Sequence, residues 1–171
     1  NGERHWIIDG PTEQFVASMV YNGKYAFVTG GFPERHILAI RPEGRGNITK
    51  THIAWRVKKG ASYVPSPVVL GPYFVIVADN GIASCLKAED GTRLWMERLG
   101  GGHSASAITA NGLAYFVSDR GITTVLRPGA EFEVVAKNDL KELVSGSPAV
   151  SQGQIFIRGQ KHLYCIGKKS N

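Results

Sequence analysis

Apolar residues along the chain occur in short runs that end in turns containing glycine. The runs FVIVADNG at 74–81, YFVSDRG at 115–121 and IFIRGQK at 155–161 are rich in β-branched and aromatic residues and are too short for helices. Asn-Gly pairs at 22–23 and 80–81 are typical of tight hairpin turns. No stretch shows a sustained helical period, so the sequence predicts an all-β protein.

The runs recur at an interval of about forty residues. Trp55 and Trp95 are forty residues apart, and Asp79, Asp119 and Gly159 fall in one column of the repeat. A strand-like segment opening with small residues precedes each run, a third segment follows it, and a fourth carries the tryptophan where it is present. The preceding segments are residues 16–20, 65–70, 104–109 and 146–151.

Four antiparallel strands repeated every forty residues are the signature of a β-propeller, whose sheets, called blades, pack face to face around an axis. A sandwich or barrel explains the alternation but not the period. The small residues are expected in the inner strands, because neighbouring blades lie closest together there. The second strands are apolar on both faces, as expected when neighbouring blades cover both sides of a sheet. The sequence predicts one domain over residues 1–171, with blades at 16–57, 63–98, 104–137 and 145–166.

The two ends of the repeat are incomplete. Trp6 precedes Met19 by thirteen residues, as Trp55 precedes Pro67 by twelve, so residues 6–9 are predicted to be the outer strand of a preceding blade. The last unit supplies three strands and ends in GKKSN. Two closures stay open: a tight four-bladed ring, or half of an eight-bladed ring, which we favour. Two copies joined head to tail as a homodimer would complete the second arrangement.

One segment resembles a known family. The pattern Cys85-x-Lys87-x-x-Asp90-Gly91-x-x-x-Trp95 is similar to the docking motif Ala-x-Asp-x-x-Thr-Gly-x-x-x-Trp of pyrroloquinoline quinone (PQQ) propeller proteins, and SPVV and SPAV, which open two inner strands, fit the same family. The resemblance implies that the tryptophan of an outer strand wedges against a glycine turn, often of the neighbouring blade. It assigns this blade-docking role to Trp6, Trp55, Gly91 and Trp95.

The chemistry that the resemblance implies does not extend to individual residues. Family enzymes hold the quinone with a calcium ion, acidic and amide ligands and a catalytic Asp, and some add a disulfide of adjacent cysteines. This chain has no adjacent cysteines, and no residue matches the calcium ligands or the catalytic Asp. We therefore predict no catalytic residue, metal site or cofactor. The family also includes non-catalytic scaffolds such as the periplasmic lipoprotein of outer-membrane assembly, which implies a periplasmic or extracellular location.

Ligands of propellers generally bind on one face. That face carries the loops from each outer strand to the next inner strand, and the turns between second and third strands. Asp79 and Asp119 could be metal ligands there, but an Asp in a DNG or DRG hairpin is more often a turn former that bonds its own backbone. The candidate residues on this face are Arg35, Tyr63, Asp79, His103, Ser104, Asp119, Arg120 and His162.

Two arrangements of polar residues suggest catalysis or metal binding. His103, Ser104 and Asp119 have the chemistry of a catalytic triad, but no G-x-S-x-G elbow surrounds Ser104. His36 and His162 share one column of the repeat, which favours a packing role and leaves a shared metal open. The segment GRGNITKT at 44–51 departs from a phosphate loop and is interpreted as a loop insertion.

The charge distribution limits the classes of partner that we expect. The net charge of +6 arises from 20 basic and 14 acidic residues scattered along the chain, which favours at most weak polyanion contact. Basic residues are not interleaved with aromatic ones, and the sequence predicts no helix that could enter a groove of DNA. Nucleic acid is therefore not an expected partner. No run of about 18 apolar residues could cross a bilayer.

Cys85 and Cys165 are predicted to be free, buried thiols, because they belong to blades two apart.

The leading hypothesis is a non-catalytic PQQ-like propeller scaffold that mediates protein or ligand interaction. One alternative is part of a PQQ-dependent dehydrogenase whose quinone and calcium ligands lie in other blades. A second alternative is a propeller that binds glycans or polyanions through the basic excess.

Overall fold

The computed structural model describes residues 2–10 and 12–167, and within those ranges it is built from strands, with no helix. Accordingly, no segment there has the helical length and hydropathy needed to cross a bilayer. The strands are β1 Trp6–Ile7, β2 Val20–Tyr21, β3 Ala26–Gly30, β4 His36–Ile40, β5 Gly46–Asn47, β6 Ile53–Val57, β7 Val68–Leu70, β8 Tyr73–Val77, β9 Ile82–Lys87, β10 Arg93–Arg98, β11 Ile108–Ala110, β12 Leu113–Val117, β13 Ile122–Arg127, β14 Glu133–Asp139, β15 Ala149–Ser151, β16 Gln154–Arg158 and β17 Leu163–Ile166.

Fifteen of these strands form four antiparallel sheets, which we call blades 1 to 4. Blade 1 has the order β2-β3-β4-β6, blade 2 β7-β8-β9-β10, blade 3 β11-β12-β13-β14 and blade 4 β15-β16-β17. The inner strands β2, β7, β11 and β15 lie beside one another in that sequence. The chain is therefore a segment of a β-propeller with about four blades, as the repeat predicts.

Blade 2 is buried on both faces because it packs between blades 1 and 3. We call the face toward the next blade in the chain the front face and the opposite one the rear face. Phe27 and Trp55 on the front of blade 1 pack against Phe74 on the rear of blade 2. Cys85 and Trp95 on the front of blade 2 pack with residues from the rear of blade 3, including Phe116 and Leu126.

The pairing register places equivalent residues in one row across each blade. In blade 2 the row runs Val68, Val75, Cys85, Trp95, and in blade 1 it runs Val20, Phe27, Ala39, Trp55. Blade 3 has Ile108, Tyr115, Val125, Ala136, and blade 4 has Ala149, Phe156, Cys165 with no fourth member among the described residues. We call these the front rows, and they carry the contacts between blades.

The outer strands of blades 1, 2 and 3 share a bulge just before the fourth member of the row. Ala54, Leu94 and Val135 are skipped in the pairing, so that Trp55, Trp95 and Ala136 regain register with the third strand. A bulge adds one residue and re-aims the side chains that follow it. The three outer strands therefore present their row residue in the same way.

The segment at residues 6–9 differs from its predicted form. The observed strand covers only Trp6–Ile7, and it pairs in parallel with β5, which lies in the connection between the third and fourth strands of blade 1. Trp6 and Ile8 pack on Ala26, Leu38 and Ile40 at the rear face of blade 1. Within the described residues the segment thus covers blade 1, and its assignment to a preceding blade stays a prediction.

The cysteines and the paired histidine column also depart from expectation. Both thiols are free, but only Cys85 is buried, whereas Cys165 is exposed because no sheet covers the front of blade 4 in the described chain. His36 is buried in blade 1, while the His162 side chain is exposed. The packing role predicted for the shared column therefore applies to His36 but not to His162.

Candidate functional site

The Asp79 side chain organises the loop face between blades 1 and 2. Its Oδ2 accepts a hydrogen bond from the Tyr63 backbone N–H at 2.9 Å and its Oδ1 accepts one from Val64 N–H at 3.0 Å. Arg35, from the hairpin of blade 1, lies 3.3 Å away through its Nη1 atom. The carboxylate thus joins its own hairpin to the loop that enters blade 2, instead of bonding the turn around itself as predicted.

Asp119 repeats this arrangement in blade 3. Its Oδ1 accepts a hydrogen bond from the Ser104 backbone N–H at 2.8 Å, and its own N–H donates to the Gly102 carbonyl at 2.9 Å. The His103 backbone N–H donates to the Asp79 carbonyl at 3.0 Å, which links this loop to blade 2. Hydrogen bonds that involve backbone groups therefore connect neighbouring loops on this face.

Glu142 takes the same role in blade 4, where the hairpin offers no aspartate. It lies in the loop entering the blade, and its Oε1 accepts the backbone N–H of Lys161 and, at 3.0 Å, that of His162. Its Oε2 accepts the Tyr164 hydroxyl at 2.6 Å and lies 2.7 Å from His162 Nδ1. Hydrogen bonds from Tyr164, then His162 and the Lys161 N–H, lower the pKa of Glu142 to about 2. The repeat did not reveal this residue, because its carboxylate reaches the hairpin from the opposite side.

His103 is buried beside Asp119 but does not form a triad with it. Neither ring nitrogen has a well-oriented hydrogen-bond partner, and the hydrogen bond to Asp119 comes from the backbone of Ser104 instead of its hydroxyl. Burial lowers the pKa of the imidazole, with Asp119 opposing. The ring lines a small cleft of about 130 Å³ with the glycines at 100 and 101. His103, Ser104 and Asp119 therefore do not form an activated nucleophile.

The remaining candidates are spread over the face. The Tyr63 hydroxyl donates to Gln14 Oε1 at 2.5 Å, Arg120 is exposed beside the His103 cleft, and His162 is held by Glu142 in blade 4. Within residues 2–10 and 12–167, no group of three His, Cys, Asp or Glu side chains is placed to hold a metal ion. The sequence candidates are thus brought to one face but not to one centre.

A series of serine hydrogen bonds joins the segments that lead into the inner strands of successive blades. Ser18 N–H donates to Ser66 Oγ at 2.8 Å, Ser66 N–H to Ser106 Oγ at 3.0 Å, and Ser106 N–H to Ser147 Oγ at 2.9 Å. Blades 1, 2 and 3 therefore each donate a serine backbone N–H to the serine hydroxyl of the next blade. The series leaves two complementary ends in the described chain, the Ser147 N–H and the Ser18 hydroxyl.

Two tryptophans bind the blade that follows their own. Trp55 Nε1 donates to the Ala88 carbonyl at 3.0 Å, and its ring lies over Gly91, where a Cβ atom would meet it at 2.8 Å. Trp95 Nε1 donates to the Gly129 carbonyl at 3.1 Å. Both acceptors lie in the turn between the third and fourth strands of the next blade. Trp6 packs on the rear of blade 1 and pairs with Gly46 in the equivalent connection.

Blade 4 has an open edge and an open front face in the described chain. β17 pairs only with β16, so its outer edge lacks a partner strand there. Leu163 is 66% exposed and Cys165 is exposed, whereas Ala83 and Cys85, at the equivalent positions of blade 2, are 0% exposed. This apolar surface matches the one that blades 1 to 3 use to bind their successors.

Comparison with known proteins shows the fold and no more. No family model matches the chain, and no curated protein matches it by sequence. The structure of BamB from Moraxella catarrhalis superposes with a TM-score of 0.74 at 13% identity, over 95% of this chain and 49% of BamB. The computationally designed proteins Ika4 and Ika8 superpose with TM-scores of 0.75 and 0.72 at 11% and 10% identity, over 98% and 94% of this chain.

The lengths of these neighbours differ. The matched region is 100% of Ika4 but only 48% of Ika8. The chain therefore spans about half the length of BamB and Ika8.

Proposed function

We propose that the chain is a non-catalytic propeller scaffold that binds protein through the open end of blade 4, and that a second copy binds there head to tail. The observation that carries the proposal is the front row of blade 4, where Ala149 and Cys165 are exposed and Phe156 is half-buried. All four members of the equivalent row of blade 2 are buried against blade 3. Burial of such a surface stabilises association by about 25 cal/mol per Å² of apolar area before the cost of association is subtracted.

The serine series supports a second copy as the partner. Ser147 N–H at one end needs an acceptor of the kind that Ser18 Oγ supplies at the other end. In a head-to-tail pair, blade 4 of one copy lies against blade 1 of the other, and the donor meets the acceptor at both junctions. The two junctions then close a ring of eight blades with twofold symmetry.

The position of Trp6 supports the same arrangement. It covers the rear of blade 1 in the way that Trp55 covers blade 2. If the second copy sits on blade 4, residues 6–9 of that copy form an outer strand beside β17, where the described chain has none. Trp6 then becomes the fourth member of the front row that ends at Cys165, and the strand edge is satisfied.

Capture between two differently tagged copies of the chain tests the proposal. Wild-type copies should co-purify, and copies that both carry Leu163→Lys should not, because the substitution places a charge in the junction. Leu143→Lys is the matched control, since Leu143 is also exposed but lies in the loop before blade 4. Both variants should keep the wild-type circular dichroism spectrum.

Failure of the wild-type copies to co-purify at micromolar concentration contradicts the proposal. Equal capture by the Leu163→Lys copies and the Leu143→Lys copies contradicts it as well, because the contact would then lie elsewhere.

A further inference from the structure

The third front row lacks its tryptophan. Trp55 and Trp95 occupy the fourth position in blades 1 and 2, and Ala136 occupies it in blade 3, after the same bulge. Ala136 is half-buried and Val135 next to it is 43% exposed, so the small side chain points inward as the indoles do. Blade 3 therefore presents a methyl group where its predecessors present an indole.

The junction between blades 3 and 4 contains a cavity of about 310 Å³. Its front wall includes Tyr115 and Val117 of blade 3, and its rear wall includes Ile155, Ile157 and Ile166 of blade 4. Tyr115 lies in the same row as Ala136, two strands away, and Asn138, two residues after Ala136 on the same strand face, also lines the cavity. The cavity thus borders the position of the missing indole.

The other two junctions are filled by aromatic rings. Phe27 and Phe74 lie 5.2 Å apart between blades 1 and 2, and Trp95 and Phe132 lie 5.1 Å apart between blades 2 and 3. Between blades 3 and 4 the cavity is instead open to solvent on one side, where the lining residues Asn138 and Ile166 are exposed, so a small molecule can enter it. Concave sites lined mainly by apolar side chains with a few polar groups are typical of small-molecule binding.

We infer that the cavity between blades 3 and 4 is a binding site for a small aromatic molecule of about the size of indole. Val117 on one side and the three isoleucines of blade 4 on the other offer apolar surface to a flat ring. Tyr115, Thr123 and Asn138 add hydroxyl and amide groups that can bond one polar group of the ligand. The volume lies near the lower limit of about 300 Å³ that is typical of ligand pockets. The site lies within one copy and is independent of the proposed self-association.

Methyl NMR of the wild-type chain with indole as the probe tests the inference. Four isoleucines line the cavity, whereas Ile37 and Ile76 lie in the core between blades 1 and 2 and serve as internal controls. Millimolar indole should shift the δ1-methyl resonances of the cavity isoleucines and leave the controls in place. The cavity isoleucines are Ile108, Ile155, Ile157 and Ile166.

A tryptophan side chain at position 136 would occupy the cavity itself, and the same side chain at position 135 serves as the control. Ala136→Trp should weaken indole binding by more than about tenfold, equivalent to about 1.4 kcal/mol, because its own indole competes for the space. Val135→Trp places the same side chain on the exposed side of the strand and should bind indole as the wild type does.

Absence of methyl shifts at millimolar indole overturns the inference. Equal shifts at Ile37 and Ile76, or undiminished binding by a folded Ala136→Trp variant, overturn it too. If Ala136→Trp does not fold, the methyl shifts of the wild-type chain decide the question.

Discussion

At the scale of single residues, three carboxylates in three different blades each accept hydrogen bonds from backbone N–H groups of a loop or hairpin. Asp79 and Asp119 sit in hairpins and accept backbone N–H groups from the loop that enters the same blade. Glu142 sits in the loop and accepts from the hairpin. Since the donors are backbone groups fifteen or more residues away, the repeat pattern could place these acids at hairpins but could not identify their partners.

Replacing the two aspartates should lower stability by different amounts. Asp79→Ala leaves two backbone donors and Arg35 without their acceptor, whereas Asp119→Ala releases one donor, Ser104 N–H. Hydrogen bonds to charged groups contribute about 1.5–3 kcal/mol. We expect the larger loss of unfolding free energy for Asp79→Ala, measured by urea denaturation. Equal losses would show that the extra contacts of Asp79 contribute nothing.

Glu142 should make stability depend on pH in the acid range. Its pKa is lowered in the folded chain to about 2 from an ordinary value of 4.5, so the folded state favours the ionised form. The contribution is therefore present above pH 4.5 and is lost as the pH falls toward 2. The difference in melting temperature between wild type and Glu142→Gln should shrink over that interval. A difference that stays constant from pH 6 to pH 2 would contradict the assignment.

At the scale of strands and blades, the sequence predicted the features that depend on local patterns and missed those that depend on pairing between strands. The forty-residue period predicted the strands, their order and the equivalence of Trp55 and Trp95, because hydrophobic spacing and turn residues are local signals. The shared bulge was not predicted, since one skipped residue changes the pairing without changing the apolar pattern. The parallel pairing of Trp6–Ile7 with Gly46–Asn47 was also missed, because it depends on a contact across forty residues.

Two glycines in different hairpins of blade 2 separate the energetic cost of backbone strain from the cost of displacing the Trp55 ring. Gly91 and Gly71 both have positive φ, of 73° and 55°, but an added Cβ meets the Trp55 ring at 2.8 Å only at Gly91. Gly71→Ala should lose about 1–2 kcal/mol of unfolding free energy from backbone strain alone. Gly91→Ala should lose about 1–3 kcal/mol more, from displacement of the indole. Equal losses in chemical denaturation would mean that Trp55 is not wedged on this turn.

At the scale of the whole molecule, four blades form an arc whose two ends differ. The rear of blade 1 is covered by Trp6 and Ile8, and the front of blade 4 is open in the described chain. The sequence predicted the three-stranded last blade. It could not predict the serine series, because the hydrogen bonds join loop segments of neighbouring blades, and only the folded arc brings these segments within hydrogen-bond distance.

Replacing two serines of the series by alanine should have different effects. Ser106→Ala removes the acceptor of the Ser66 N–H inside the arc, so it should lower unfolding free energy by about 0.5–1.5 kcal/mol. Ser18→Ala leaves every hydrogen bond of the described chain intact, because only its backbone N–H is used there. It should preserve the stability of the separate copy and weaken self-association, measured by sedimentation at several concentrations. Unchanged association would remove the serines from the junction.

The mass of the wild-type chain in solution tests the central claim most directly. Light scattering at micromolar concentration should give twice the chain mass of 18.5 kDa, falling toward 18.5 kDa on dilution. A mass of 18.5 kDa at every concentration would contradict the account, because the open end of blade 4 would then bind no second copy.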